Sequence, residues 1–179
     1  MNKMIFTCSL ILLLFPIPAI ANEKVLEDQI NTRVTQLGAM MGDSNSQEYP
    51  EARGIQILRN DKEDMLVAVA VFTIEGLGGG NNYTQFMAVF AALSEETEAH
   101  PKRMSLLDVM AVGGKGLRGI DFRHIGIEQS KRNIVITVPT AEYGPNDAMC
   151  CPSIKSEAQF IIYPHVGGRL KEITMKNKK

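Results

Sequence analysis

The run Met65-Leu66-Val67-Ala68-Val69-Ala70-Val71-Phe72-Thr73-Ile74 constrains the fold more than any other segment. It is dense in β-branched and aromatic residues, which favour strands. It also lacks the apolar/polar alternation of a strand with one wet face, so it reads as a central strand buried on both faces. Gly76-Leu77-Gly78-Gly79-Gly80-Asn81-Asn82 follows as a flexible connection, and Tyr83 to Leu93 is a second apolar run. That second run reads as the antiparallel partner of the first. Its Ala and Met content keeps a helix as the competing reading.

The rest of the chain is mostly hairpin-like. Ile55 to Arg59 is a short strand before the polar turn Asn60-Asp61-Lys62-Glu63. Met104 to Val112 is a strand closed by the turn Gly113-Gly114-Lys115-Gly116. Arg118 to Glu128 and Asn133 to Val138 form a pair. Ile120 and Phe122 share one parity while Ile125 and Ile127 share the other, so a β-bulge near Arg123-His124 is expected to restore register. Ala141 to Ser153 is a long loop. Ala158 to Tyr163 and Leu170 to Met175 form a terminal hairpin around Val166-Gly167-Gly168.

One segment has helical periodicity. Leu26, Ile30, Val34, Leu37 and Met41 recur at spacings of three and four, which predicts a helix from Asn22 to Gly42 with one apolar face. Asn22 suits its cap, Glu23 the positive end of its dipole, and Gly42 its stop. Such a helix either packs on the sheet or serves as a partner-binding spacer. Asp43 to Arg53 is polar, contains Tyr49-Pro50 and reads as a linker. The expected fold is α+β and mostly β: the N-terminal helix packed on a curled, mainly antiparallel sheet of about seven strands.

The amino terminus carries an export signal. Lys3 gives the positive start, Ile5 to Phe15 the apolar stretch, and Ala19-Ile20-Ala21 the small-x-small cleavage site. The stretch is shorter than the roughly 20 residues that span a bilayer. The expected organisation is a signal peptide over 1–21, the helix over 22–42, a linker over 43–53, a β-rich domain over 54–175 and a basic tail over 176–179. Cleavage after Ala21 would send the chain to the periplasm or outside the cell, with no transmembrane span left. Removing 21 of the 179 residues leaves 158, enough for one domain with a real core. Losing Lys3 leaves 18 basic against 20 acidic side chains, a net charge of −2. That near-neutral balance gives no electrostatic case for nucleic acid or an anionic membrane. Trp is absent, so core volume must come from Val, Ile, Leu, Met and Phe.

The chemically unusual residues lie in Tyr143-Gly144-Pro145-Asn146-Asp147-Ala148-Met149-Cys150-Cys151-Pro152-Ser153. This loop resembles an Asp-x-Met-Cys-Cys-Pro-Ser/Thr element shared by a broad group of exported bacterial proteins and lipoproteins of unknown function. The resemblance extends over Gly113-Gly114-Lys115-Gly116 with Arg118, over Ile134 to Val138, and over Gly167-Gly168-Arg169-Leu170-Lys171-Glu172, roughly the last half of the chain. It implies an envelope location and a β-rich fold, and it implies no activity.

With Cys8 inside the leader, only the adjacent Cys150 and Cys151 remain, which is no disulfide framework. Adjacent Cα atoms lie about 3.8 Å apart, below the usual disulfide range of roughly 4.4–6.8 Å, so a bond between them would be strained and easily reduced. In an extended pair the two side chains would point to opposite faces, one of them into the core. Structural use (thiols buried, or the ring locking a turn), redox or metal chemistry, and intermolecular bridging are the three readings. A soft site of Met149, Cys150 and Cys151 would favour Cu(I). Zn lacks its usual two-residue gap between cysteines, and His100, His124 and His165 have no recognised ligand spacing. Asn146 and Asp147 read as turn formers whose side chains bond nearby amides, and Pro152 biases Cys151 toward an extended form. Lys115 and Arg118, beside flexible glycines, read as a solvated turn or an anion-holding one. Gly78-Gly79-Gly80 lacks the Lys-Ser/Thr of a phosphate loop, and no Gly-x-Ser-x-Gly or His-Glu-x-x-His occurs. No catalytic set emerges, and no cofactor is expected apart from copper or zinc at the Cys pair. The expectation is a non-enzymatic envelope module with a protein partner, inhibitor- or immunity-like in one form. The alternative is thiol-redox or copper handling at the Cys pair.

Overall fold

A computed structural model describes residues 19–60, 65–92, 104–130, 132–164 and 167–173. The chain runs α1 (Ala19–Met41), β1 (Gln47–Asn60), β2 (Met65–Glu75), β3 (Tyr83–Ala92), β4 (Ser105–Gly114), β5 (Gly119–Ile120), β6 (Gly126–Gln129), β7 (Ile134–Glu142), β8 (Ile154–Ile162) and β9 (Lys171–Ile173). The fold is α+β and mostly β, and its strands pair antiparallel.

The expected single curled sheet is instead two sheets. One has the order β1-β2-β3-β4; the other has β5-β7-β8-β9, with β6 also pairing with β7. The reason lies in the apolar run of β2, whose residues Met65 to Ile74 are all buried. Val67, Val69 and Val71, with Met87 and Val89 of β3, share a core with Ile136, Val138, Phe160 and Ile162 of the second sheet. Leu66, Ala68, Ala70, Phe72 and Ile74, with Phe86 and Phe90, share another with Leu26, Ile30, Val34 and Leu37 of α1. The first sheet is therefore the middle of three layers, with α1 on one face and the second sheet on the other. Each large apolar side chain so buried contributes on the order of 2 kcal/mol. β7 alternates buried and half-buried residues, as a strand with one wetter face does.

Tyr83–Ala92 is a strand, with Ala92 opposite Leu66 and Tyr83 opposite Glu75. β1 begins at Gln47, inside the segment read as a linker. Its pairing with β2 slips between Tyr49 and Gly54, and that irregularity hides the strand from a pattern reading. The segment Arg118–Glu128 is not one bulged strand. It breaks into β5 and β6, which both pair with β7. Pro139 sits between the stretches of β7 that pair with them. Its carbonyl accepts from Asp121 N at 2.9 Å, so its missing N–H faces the interruption and removes no ladder bond. The helix continues from Ala19 through Asn22, which makes Asn22 interior to it and not its cap. Residues 1–18 of the expected signal peptide, most of the expected turn after Asn60, and the expected basic tail over 176–179 lie outside the described residues.

Polar rivets join the layers. The buried Gln85 side chain donates from Nε2 to Ile120 O at 3.1 Å and accepts from Ile120 N at 2.7 Å. It stands in for a strand edge where β5 meets the first sheet. Leu170 N donates to Asp108 Oδ2 at 2.7 Å. Between α1 and β1, Arg53 binds Glu48 and also Asn31 and Thr35 of the helix. Gly38 lets the helix come that close: a Cβ there would meet Glu48 Cβ at 2.7 Å.

Candidate functional site

Antiparallel order carries four connections to one end of the molecule. They are 42–46 between α1 and β1, 76–82 between β2 and β3, 115–118 between β4 and β5, and 143–153 between β7 and β8. The ladders bring their roots together, since Glu75 lies opposite both Gln47 and Tyr83, and Thr84 lies opposite Gly114. Further bonds tie the loops to one another. Gly78 N donates to Asp43 Oδ2 at 3.2 Å, and Lys115 N to Tyr83 O at 3.0 Å. The N–H groups of Asn45 and Gly78 hold the Asp43 carboxyl below its ordinary pKa.

The Cys pair crowns the 143–153 loop. Asp147 closes the base of that loop: its carboxylate accepts from Gly144 N at 2.7 Å, Ser153 N at 2.8 Å and Ser153 Oγ at 2.9 Å. The Gly144 N–H, then the Ser153 hydroxyl, hold the Asp147 carboxyl below its ordinary pKa. Tyr143 braces the same loop, donating its hydroxyl to Met149 O at 2.5 Å and accepting from Gly116 N at 3.0 Å. Pro152 is half-buried against Gly119, where an added Cβ would lie 3.4 Å from Pro152 Cγ.

Cys150 and Cys151 form a vicinal disulfide, with Cα atoms 3.8 Å apart. Neither side chain enters the core. Cys151 N donates to Ala148 O at 2.9 Å, so the pair sits in a turn and not in an extended segment, and both residues are exposed. Met149 beside them is 65% exposed. The tip is thus three sulfur-bearing residues in solvent on a loop fastened at its base.

The two sequence candidates, the Cys loop and the Lys115–Arg118 turn, prove to be neighbours, because Met149 Cε lies 3.5 Å from where a Gly116 Cβ would stand. The cations of that turn are engaged by the chain itself. Arg118 makes a bidentate pair with Glu172 at 2.7 and 2.9 Å, donates to Val112 O at 2.7 Å and lies over the Phe160 ring. Lys115 Nζ binds Asn81 Oδ1. Arg118 is thus committed to Glu172, while Lys115 keeps its charge, bonded to a neutral amide. His124 pairs with Asp121 at 2.7 Å rather than with sulfur. His100 and His165 lie outside the described residues. Among the described residues no three of His, Cys, Asp or Glu are grouped to hold a metal.

A groove that the sequence reading did not find opens beside these loops. It encloses about 480 Å³ between the α1–β1 turn and the glycine connection. Gln47, Tyr49, Glu75 and Tyr83 line it, with Asn45, Asn81 and Asn82 from the loops. Burial pushes the Tyr83 phenol above its ordinary pKa, and the neighbouring Tyr143 hydroxyl adds to the effect. The signal in the sequence was the Gly76–Asn82 segment, read only as flexible.

No family model matches this sequence, and no curated protein or solved structure matches it either. Among the described residues no helix is long and apolar enough to cross a membrane.

Proposed function

We propose that the chain is an exported envelope protein, working in the periplasm or outside the cell as a non-enzymatic binding module. Blocking a toxin or hydrolase, as inhibitors and immunity proteins do, is one form of that role. The observation that carries the reading is the exposed Met149-Cys150-Cys151 tip on a loop braced by Asp147 and Tyr143. A fastened loop loses little conformational entropy on docking, and a methionine adapts to an apolar pocket. The leader sequence supports the compartment.

The test has two arms. Mass spectrometry of the protein made in its host should find an amino terminus at Asn22 in the envelope or medium; intact chain in the cytoplasm would overturn the compartment. Wild-type and Cys150→Ser/Cys151→Ser proteins should then be used for pull-down from envelope extract, with direct titration of any purified partner. Binding by the wild type that is weakened by the double substitution supports the tip as the contact. Equal binding by both rejects it.

The solvent-facing disulfide favours a second reading, thiol-redox or soft-metal handling at the same three residues. In the redox form a dithiol donor would give two electrons and two protons to the Cys pair and become a disulfide itself. Native mass two hydrogens short of the dithiol value supports that reading. For the metal form, the reduced protein should take up Cu(I), or Zn, stoichiometrically. Free, unreactive thiols that take up no metal would end both forms.

A further inference from the structure

We propose that the groove between the α1–β1 turn and the Gly76–Asn82 connection is a binding site for a short neutral oligosaccharide. Its chemistry selects that ligand. The odd-numbered residues of β2 face the second sheet, and at the loop end this face changes from Val67, Val69 and Val71 to Thr73 and Glu75. β3 changes likewise, from Val89 and Met87 to Gln85 and Tyr83. The sandwich mouth therefore ends in polar groups where the apolar core stops. Four carboxamides line the groove, and a carboxamide both donates and accepts, as sugar hydroxyls do. Tyr49 is 42% exposed and offers a ring for the C–H face of a pyranose. Among the described lining residues Glu75 is the one charged group, and the Lys115 ammonium, bonded to Asn81 at the groove edge, offsets it, so the lining favours a neutral ligand over a strongly charged one. The volume falls within the roughly 300–1,000 Å³ of small-molecule sites, while the polar lining does not suit an apolar ligand.

The glycine connection contributes Gly76 and Gly80 to the groove wall. Gly78, Gly79 and Gly80 all adopt positive φ, at 75°, 88° and 71°. A Cβ at any of them would meet nothing within 4 Å, so packing against the protein does not require glycine there. Their backbone conformation does, and of the three Gly80 lines the groove, where it presents bare backbone. This site does not depend on the Cys tip.

The experiment is titration of the uniformly ¹⁵N-labelled protein with cellotetraose, maltotetraose and chitotetraose, with inorganic phosphate as the anionic contrast. At least one tetrasaccharide should give saturable amide shifts confined to 45–49 and 75–83. Tyr49→Ala should weaken it at least about tenfold, equivalent to about 1.4 kcal/mol. Gln47→Ala, at a second exposed position, should weaken it too with the melting temperature unchanged. Cys150→Ser/Cys151→Ser should leave the titration as it is, which separates this site from the tip. The proposal is overturned by no saturable shift up to about 20 mM saccharide. Shifts that map elsewhere, a preference for phosphate, or full affinity in both variants would also overturn it.

Discussion

Replacing Arg53 by methionine tests how α1 is held to the sheet. The guanidinium and the Glu48 carboxylate meet at 2.5 and 3.0 Å, and each side chain is only 7% exposed. Arg53 also donates to Asn31 Oδ1 at 2.8 Å, Asn31 O at 3.1 Å and Thr35 Oγ1 at 2.9 Å. Arg53→Met removes those bonds and leaves the Glu48 carboxylate buried against Gly38 without its counter-charge. Breaking one side of a buried pair costs about 3–5 kcal/mol. With a slope of about 2 kcal/mol per M, that lowers the urea midpoint by about 1.5–2.5 M. The double variant Glu48→Met/Arg53→Met removes both charges and fills the space with apolar atoms, so it should regain most of the loss and lie within about 2 kcal/mol of wild type. Equilibrium urea unfolding of wild type, both single variants and the double variant gives the coupling energy directly. A single-variant cost under about 1 kcal/mol, the level of an exposed bridge, would refute burial as the source of the effect. Strict additivity in the double variant would refute the pairing.

Other contacts give three further outcomes. Gln85→Leu strands the N–H and C=O of Ile120 and should cost about 1–3 kcal/mol for each group left unpaired, read as a lower melting temperature. Gly54→Ala would put a Cβ 1.6 Å from Phe122 O, so β1 and the 121–125 connection must separate; the cost is about 1–3 kcal/mol or more by the same melt. The folded Asp147 carboxyl titrates below its ordinary value of 3.8, so its hold on the loop is complete above that value and is lost as pH falls through the lower folded one. Amide exchange at Gly144 and Ser153, corrected for the intrinsic pH dependence, should lose protection over that acid range. Asp147→Asn should lower that protection at neutral pH while the global melting temperature moves little.

The sequence carries the layers better than the seams between them. β2 is legible because its long apolar run admits few alternatives, and α1 because Leu26, Ile30, Val34 and Leu37 keep helical spacing; β3 is less so, since its Ala and Met suit a helix as well. The division into two sheets is not legible: the same apolar residues would line the inside of a curled sheet or the inside of a sandwich. β1 was missed from Gln47 to Arg53 because its residues there serve different ends, Tyr49 at a groove, Glu48 and Arg53 at the helix, with a slipped register between. The Cys loop stands out in the sequence as a chemical oddity, and Asp147 as a turn former within it. That the loop adjoins Lys115 is a matter of three-dimensional order, since 27 residues separate Gly116 from Tyr143. The groove was illegible for the same reason: its amides come from separate loops and make no motif.

Residues at the loop end divide by what they hold, and that decides which substitutions test function cleanly. Met149, Cys150, Cys151, Tyr49 and Gln47 are all exposed, so changing them removes little buried area. A loss of binding on changing Met149, Tyr49 or Gln47 therefore reports on contact with a ligand, whereas changing the Cys pair also opens the disulfide ring. Tyr143 is different. Its hydroxyl joins Met149 O of the tip to Gly116 N of the neighbouring turn, and it lies beside Tyr83 in the groove wall. Removing it would loosen both surfaces together, and a loss of either activity would then say nothing about which residue touched the ligand. The tip and the groove share a brace but not a contact face, which is why the variants that distinguish them must lie beyond that brace.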